Sequence, residues 1–334
     1  MPSDQRNPKV TGLADVNTYG AGAVVPDIEK ISVVIPVYRS RESLPILLDR
    51  LESQLRLLGR SYEVVLVDDC SPDDTWTVLK KLKEDRPWLK IAHLLRNSGQ
   101  HNAILCGFTI ADGKIIVTMD DDLQNPPEEL HKLISAIDQG YDLAIAAYNS
   151  KKHGGLRNLG GKLVDSVQRR IFGLPHSFQL TSFRAARRLI VENVVHMGGS
   201  YPYVTSMLLS HTSKYINVPV RHDQRRFGKS NYTLKSSVLL MLNLLLNYSS
   251  YPLYFVAGLC FLAFTFAAAL GLWVLWRAAV YGAFVEGWAS TIIVVSLLNA
   301  LILLALVIQG LYLSRLHQQV SRSRVSFTIG EFHG

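Results

Sequence analysis

The sequence has few cysteines and lacks several common signatures, and each gap removes a class of function. Its three cysteines, Cys70, Cys106 and Cys260, lie far apart with no C-x-x-C spacing. That excludes a disulfide scaffold or a thiolate zinc site and fits a reduced, cytosolic setting. No charged stretch followed by an apolar core opens the chain, so no signal peptide is expected and residues 1–29 read as a polar tail. Gly20-Ala21-Gly22 lacks the third glycine of a dinucleotide fingerprint. The basic run Lys151–Lys162 fails the spacing and final hydroxyl of a phosphate loop. The net charge is +8, yet no zinc-finger, RNP-type or basic-zipper pattern accompanies it, so no nucleic-acid partner is expected.

Charge itself is sparse, at 19% of residues against 48% hydrophobic, and two stretches have none. Pro252–Trp276 is uncharged for 25 residues and Trp288–Leu313 for 26. At about 1.5 Å per helical residue, each is long enough for a hydrocarbon core of about 30 Å. The link between them carries only Arg277 and Glu286, while Lys229, Lys235, Arg315, Arg322 and Arg324 crowd the outer flanks. This asymmetry predicts a multi-pass protein of the inner or plasma membrane with both termini cytosolic. The Asn231 and Asn247 sequons would then lie on the unglycosylated side. Before the hairpin, Leu234–Tyr248 is apolar except for one helical face bearing Ser236, Asn243, Asn247 and Ser250, which suits an interfacial helix.

What is present begins at Lys30 as alternating strand and helix. Apolar runs at 31–37, 63–67, 89–95, 115–117 and 142–147 predict strands, and helical periodicity covers 42–58 and 73–85. A loop at 98–107 leads into another helix, and 163–172 reads as helix after a basic loop. Strands separated by helices predict a parallel sheet with right-handed crossovers, whose ligands bind beyond the strand carboxyl ends. Tyr38, Asp69 and Asp120-Asp121-Asp122 all fall at such ends and should line one crevice. Three adjacent carboxylates repel unless a cation sits among them, and oxygen donors without Cys or His point to Mg²⁺ or Mn²⁺. Clustered cations at 151–162, 182–188 and 218–231 oppose this acidic site and suggest a polyanionic substrate.

Six segments in order, S-V-V-I-P-V-Y (32–38) with R-E-S-L-P (41–45), V-D-D-C-S-P-D-D-T (67–75), R-N-S-G-Q-H-N-A (96–103), D-D-D-L-Q-N-P-P-E-E (120–129), F-R-A-A-R-R (183–188) and R-R-F-G-K-S-N-Y (225–232), carry a family resemblance. The chain resembles the polyisoprenyl-phosphate glycosyltransferases, which include dolichyl-phosphate mannose synthase and bacterial undecaprenyl-phosphate sugar transferases. The resemblance implies a GT-A-type catalytic domain (30–230), followed by an interfacial helix (231–250), a two-helix transmembrane hairpin (251–313) and a basic cytosolic tail (314–334). It implies inverting transfer from a nucleotide-diphosphate sugar, with uracil as the expected base, to a polyprenyl phosphate.

Carried over by position, Pro36, Tyr38, Glu42, Asp68 and Asp69 hold base and ribose, with Gln100 and Asp121 also on the donor. Asp120, Asp122 and Gln124 meet the metal and diphosphate. Arg157 and Arg225 grip the lipid phosphate, joined by Arg184, Lys229 and Ser230. Asp122, Arg157 and Arg225 are the residues expected to carry the reaction. Three positions depart from the family: Gln179 stands where many relatives have Asp, Asn231 takes a lysine position, and Ala147-Tyr148 replaces an arginine. A processive polysaccharide synthase shares the acidic cluster but generally has Q-x-x-R-W and more spans, absent here. A membrane-tethered nucleotide-sugar scaffold without turnover is the other alternative. Association of the membrane helices into a homo-oligomer is compatible with the sequence, which fixes no number.

Overall fold

The computed structural model describes residues 29–148, 169–170, 173–175, 177–197, 202–223, 251–281, 287–321 and 327–334. The expected N-terminal tail (apart from Glu29), most of the 163–172 helix and the interfacial helix lie outside them. The first half alternates as the apolar runs dictate: β1 (Ile31–Val37), α1 (Leu44–Leu57), β2 (Tyr62–Asp68), α2 (Thr75–Glu84), β3 (Leu89–Leu94), α3 (Gln100–Ile110) and β4 (Ile115–Thr118). A 3-10 turn (Pro127–Glu129) leads into α4 (Leu130–Asp138) and β5 (Leu143–Tyr148). Then come β6 (Arg184–Arg187), α5 (Arg188–Met197), α6 (Val204–Leu209), β7 (Tyr215–Val220), α7 (Tyr251–Tyr281), α8 (Trp288–Ser321) and β8 (Ile329–His333).

The eight strands form one sheet in the order β7-β5-β6-β4-β1-β2-β3-β8. Pairs β1–β2, β1–β4, β2–β3 and β5–β7 are parallel, so the expected α/β architecture with a mostly parallel sheet is present. β6 is antiparallel to both β4 and β5, and β8 is antiparallel to β3. Both faces of the sheet are covered, which is why β1 reads as a continuous apolar run rather than an alternating one. Ile31, Val33, Ile35 and Val37 pack with α1 and α4, while Val34 packs with α3, α5 and α6.

α3 approaches β1 so closely that a Cβ on Gly107 would collide with the Val34 side chain. Gly107→Val is therefore expected to lower stability by about 1–3 kcal/mol, the usual cost of overpacking. A denaturation midpoint equal to wild type would show that α3 can shift away.

Two regions differ from the sequence expectation. The F-R-A-A-R segment, taken as a basic cluster, is an inserted antiparallel strand with Arg184 only 1% exposed. The stretch 314–334, taken as a basic tail, instead extends α8 to Ser321 and ends in β8. Backbone pairing with β3 outweighs the weak apolar content of I-G-E-F-H. The helices α7 and α8 run for 31 and 34 residues. Among the described residues no helix is long and apolar enough to cross a membrane, and both helices contain positions whose side chains are outside that set.

Candidate active site

β1 continues to β2 on one side, while β4 lies on its other side. The strand order therefore reverses between β1 and β4, and open α/β sheets bind their ligands beyond the strand carboxyl ends at such a reversal. Tyr38 follows β1 and stands 36% exposed at this end of the sheet. The three aspartates follow β4 and bind the surrounding loops together. Asp121 accepts the Tyr38 backbone N–H at 3.2 Å and the Ser40 hydroxyl at 2.5 Å. Asp120 accepts from the Gln100 amide at 2.7 Å and from the Ser182 hydroxyl at 2.5 Å. It thus joins the start of α3 to the segment entering β6. Asp122 accepts the Gln124 backbone N–H at 3.1 Å.

The far wall comes from the end of β7. His222 Nε2 lies 3.3 Å from Gln124 Nε2, and its ring stacks on Tyr148 at a centroid distance of 4.2 Å. The Tyr148 hydroxyl donates to Asn125 at 2.6 Å, and its backbone N–H donates to Gln179. Tyr148 and Gln179 thus pair with each other.

Asp69, after β2, accepts the backbone N–H groups of Ser98 and Gly99 at 2.6 and 2.8 Å. Burial holds its carboxyl above the usual range, with neighbouring Asp68 adding to the effect. Asp68 is fully buried and bonds inward to Ser71 and to His93 Nδ1 at 2.7 Å. It supports the loop from behind. Pro36 is likewise buried within β1, and Glu42 is exposed in the turn before α1. Arg184 donates to Thr205 Oγ1 and lies close enough to Asp120 for their charges to interact. Burial pushes its guanidinium down to about 10. It stands behind the acidic cluster, not on an open wall. Arg157, Arg225, Lys229 and Ser230 are outside the described residues.

Burial is the largest cause that raises Asp121, to about 7, and the charges of Asp120 and Asp122 add to it. Asp120 is raised by burial and by Asp122. Carboxylates crowded this way favour a cation, and Asp120, Asp122 and the Gln124 carbonyl are hard oxygen donors. Among the described residues no three His, Cys, Asp or Glu side chains form a metal cage by themselves. Mg²⁺ does not need one, since one or two carboxylates with substrate phosphates suffice. The residues fit that mode of binding.

Ser40, Ser182, His93 and His222 were not foreseen as parts of this site. His222 is 98 positions from its partner Gln124, and Ser182 is 62 from Asp120, so no local spacing announces them.

Residues 32–195 match the model described as "Glycosyl transferase family 2". The undecaprenyl-phosphate 4-deoxy-4-formamido-L-arabinose transferase of Enterobacter sp. (strain 638) is 36% identical over 230 residues, covering 69% of this chain and 70% of the relative. The protein of the same name from Yersinia pestis (strain Pestoides F) is 34% identical over 248 residues, covering 73% and 76%. Among solved structures, glucosyl-3-phosphoglycerate synthase from Mycobacterium tuberculosis, in complex with Mn²⁺, UDP-glucose and phosphoglyceric acid, matches at 18% identity. That match has a TM-score of 0.48 and covers 64% of this chain and 79% of the other. With relatives this similar over more than two thirds of its length, the chain belongs to glycosyl transferase family 2 and is a glycosyltransferase.

Proposed function

We propose that the protein transfers a sugar, with inversion, from a nucleotide-diphosphate sugar of the uridine type to a polyprenyl phosphate at the cytosolic face of a membrane. The convergence of Asp69, Gln100 and Asp120–Asp122 on one crevice carries this reading. The relatives' name supports undecaprenyl phosphate as acceptor. A membrane location is supported by α7 and α8. Phe255, Phe261, Leu262, Leu303, Val307 and Leu313 are all exposed on them, an arrangement that water disfavours and lipid accommodates.

In this reading Asp69 and Tyr38 hold base and ribose, and Asp120, Asp122 and Gln124 would hold Mg²⁺ or Mn²⁺ on the diphosphate side of the site. The ion would supply charge stabilisation for the leaving nucleoside diphosphate. The acceptor phosphate oxygen forms a bond to the anomeric carbon as the bond to the diphosphate breaks. A phosphate monoester has its second pKa at about 6 and needs no strong base to become nucleophilic. The protein's task is then to position groups and complement their charge. Arg157 and Arg225 are assigned to the lipid phosphate, where a bidentate guanidinium fits.

The test is transfer from UDP- and GDP-sugars, including the 4-deoxy-4-formamido-L-arabinose donor, to undecaprenyl phosphate in detergent with Mg²⁺, Mn²⁺ or EDTA. A metal-dependent, organic-extractable product is expected. Nucleotide-sugar binding with no lipid product from any donor would overturn the reading. Arg225→Ala should raise the acceptor KM by about tenfold or more, the loss expected for one charge-assisted phosphate contact, and leave donor KM near wild type. An effect confined to the donor would remove Arg225 from the acceptor half.

A further inference from the structure

We infer that the C-terminal strand β8 is a working part of the donor site and positions the loops that hold the nucleotide. This rests on the proposed donor role of Asp69. β8 pairs antiparallel with β3, setting His93 opposite Glu331 and Leu94 opposite Ile329, with a register shift between His93 and Leu94. The pairing continues one residue further, where the Leu95 N–H donates to the Thr328 carbonyl at 3.0 Å. Leu95 opens the loop that delivers the Ser98 and Gly99 N–H groups to Asp69. The Leu95 carbonyl also lies 3.8 Å from Cys70 Sγ, on the loop that carries Asp69 itself. Gly330 lets β8 close down on this point, since a Cβ there would stand 2.5 Å from Leu95 Cδ2.

A side-chain route runs parallel to the backbone one. Glu331 accepts from Trp76 Nε1 at 2.9 Å. Trp76 packs its ring against His93 at 5.1 Å, and His93 bonds the buried carboxylate of Asp68. Asp68 holds Ser71, whose hydroxyl receives the Arg39 backbone N–H at 3.0 Å. The β1 and β2 loops are thereby fixed from behind by residues that meet no substrate. Without β8, β3 would become an unpaired edge strand, and the 95–99 loop would leave the sheet with its first residue unanchored. Trp76, Glu331 and β8 are positioning elements, acting through His93, Asp68 and the loop backbones.

The experiment compares full-length protein, Trp76→Phe, Glu331→Ala and a chain ending at Ser326. UDP binding is measured by calorimetry, with donor and acceptor KM alongside. Trp76→Phe keeps an aromatic ring, smaller than the indole, and removes the N–H. It should weaken UDP binding and raise donor KM by about threefold, the scale of one hydrogen bond, with acceptor KM unchanged. The truncated chain should lose at least about tenfold in UDP affinity, and the peptide S-F-T-I-G-E-F-H-G added in trans should restore it by strand addition. A scrambled peptide should not. Wild-type UDP affinity in the truncated chain, or donor and acceptor KM rising together, would overturn the inference. If the truncated chain does not fold, Trp76→Phe and Glu331→Ala decide alone: unchanged donor KM in both sinks it. Failure of the full-length protein to bind either UDP or GDP would instead sink the donor-site reading on which this one stands.

Discussion

Asp122→Asn should cut sugar transfer by about a thousand-fold or more, since metal stabilisation of the leaving group is worth several kcal/mol and each 1.36 kcal/mol is tenfold. The substitution keeps the side chain's shape and an oxygen that can still accept the Gln124 N–H. The fold should therefore survive, and circular dichroism and melting temperature should match wild type. The charge lost is the one that, with Asp120, would hold a divalent ion beside the diphosphate. A variant that turned over at the wild-type rate would remove Asp122 from the metal assignment. One that failed to fold would show instead that the carboxylate is needed by the loop.

The second large effect lies at the opposite end of the sheet, far from chemistry. Glu63, on β2, is 3% exposed. It accepts from the Ser32 hydroxyl and the Asp112 N–H, each at 2.6 Å, and pairs with Lys30 at 2.6 Å and Lys90 at 3.1 Å. Burial alone would raise its carboxyl. The Asp112 N–H, Lys30, Ser32 and Lys90 together outweigh that and hold it at about 2, against 4.5 for a free side chain. The folded state therefore favours the ionised form, and Glu63 stabilises fully above pH 4.5. That contribution is lost as pH falls from 4.5 towards 2. Glu63→Gln should cost about 3 kcal/mol at pH 7, since a buried partner removed from a charge network typically costs 3–5. Thermal unfolding at pH 7 and pH 3 should show the gap between variant and wild type shrinking at the lower pH. A gap independent of pH would mean the carboxylate's charge is not what matters. A folded Glu63→Gln protein should keep its KM values, because the cluster lies at the amino ends of the strands.

How much of this was legible in the sequence follows from the range of the interactions involved. β1 to β4 could be read because strands buried on both faces are continuous apolar runs. Their loops could be read because Asp69 and Asp120 fall directly after such runs. β6 was hidden because R-A-A-R is framed by charge, and its burial depends on partners such as Thr205, 21 residues on. β8 was hidden because its Glu331–Trp76 bond spans 255 residues and the strand follows two long apolar helices. Asp68 and Asp69 looked alike in sequence, yet one turns inward to His93 and the other to the Ser98–Gly99 loop. Adjacent residues at the end of a strand point to opposite sides, and nothing in the dipeptide says which side is which.

The loops of the crevice are also held in an unfavourable backbone conformation. Arg39, Cys70 and Leu123 have φ values of 57°, 56° and 63°, and they are the non-glycine residues with positive φ among the described residues. One follows β1, one follows β2 and one sits just after the aspartates beyond β4. A non-glycine side chain in this region costs about 1–2 kcal/mol. Glycine at Arg39 or Cys70 should raise the melting temperature while slowing turnover, because it frees loops that must be preset for substrate; Leu123, 1% exposed in the core, would leave a cavity that costs more than the strain relieved. Selection for heat resistance alone would find Arg39 and Cys70 early, and the resulting enzymes would be sturdier and slower.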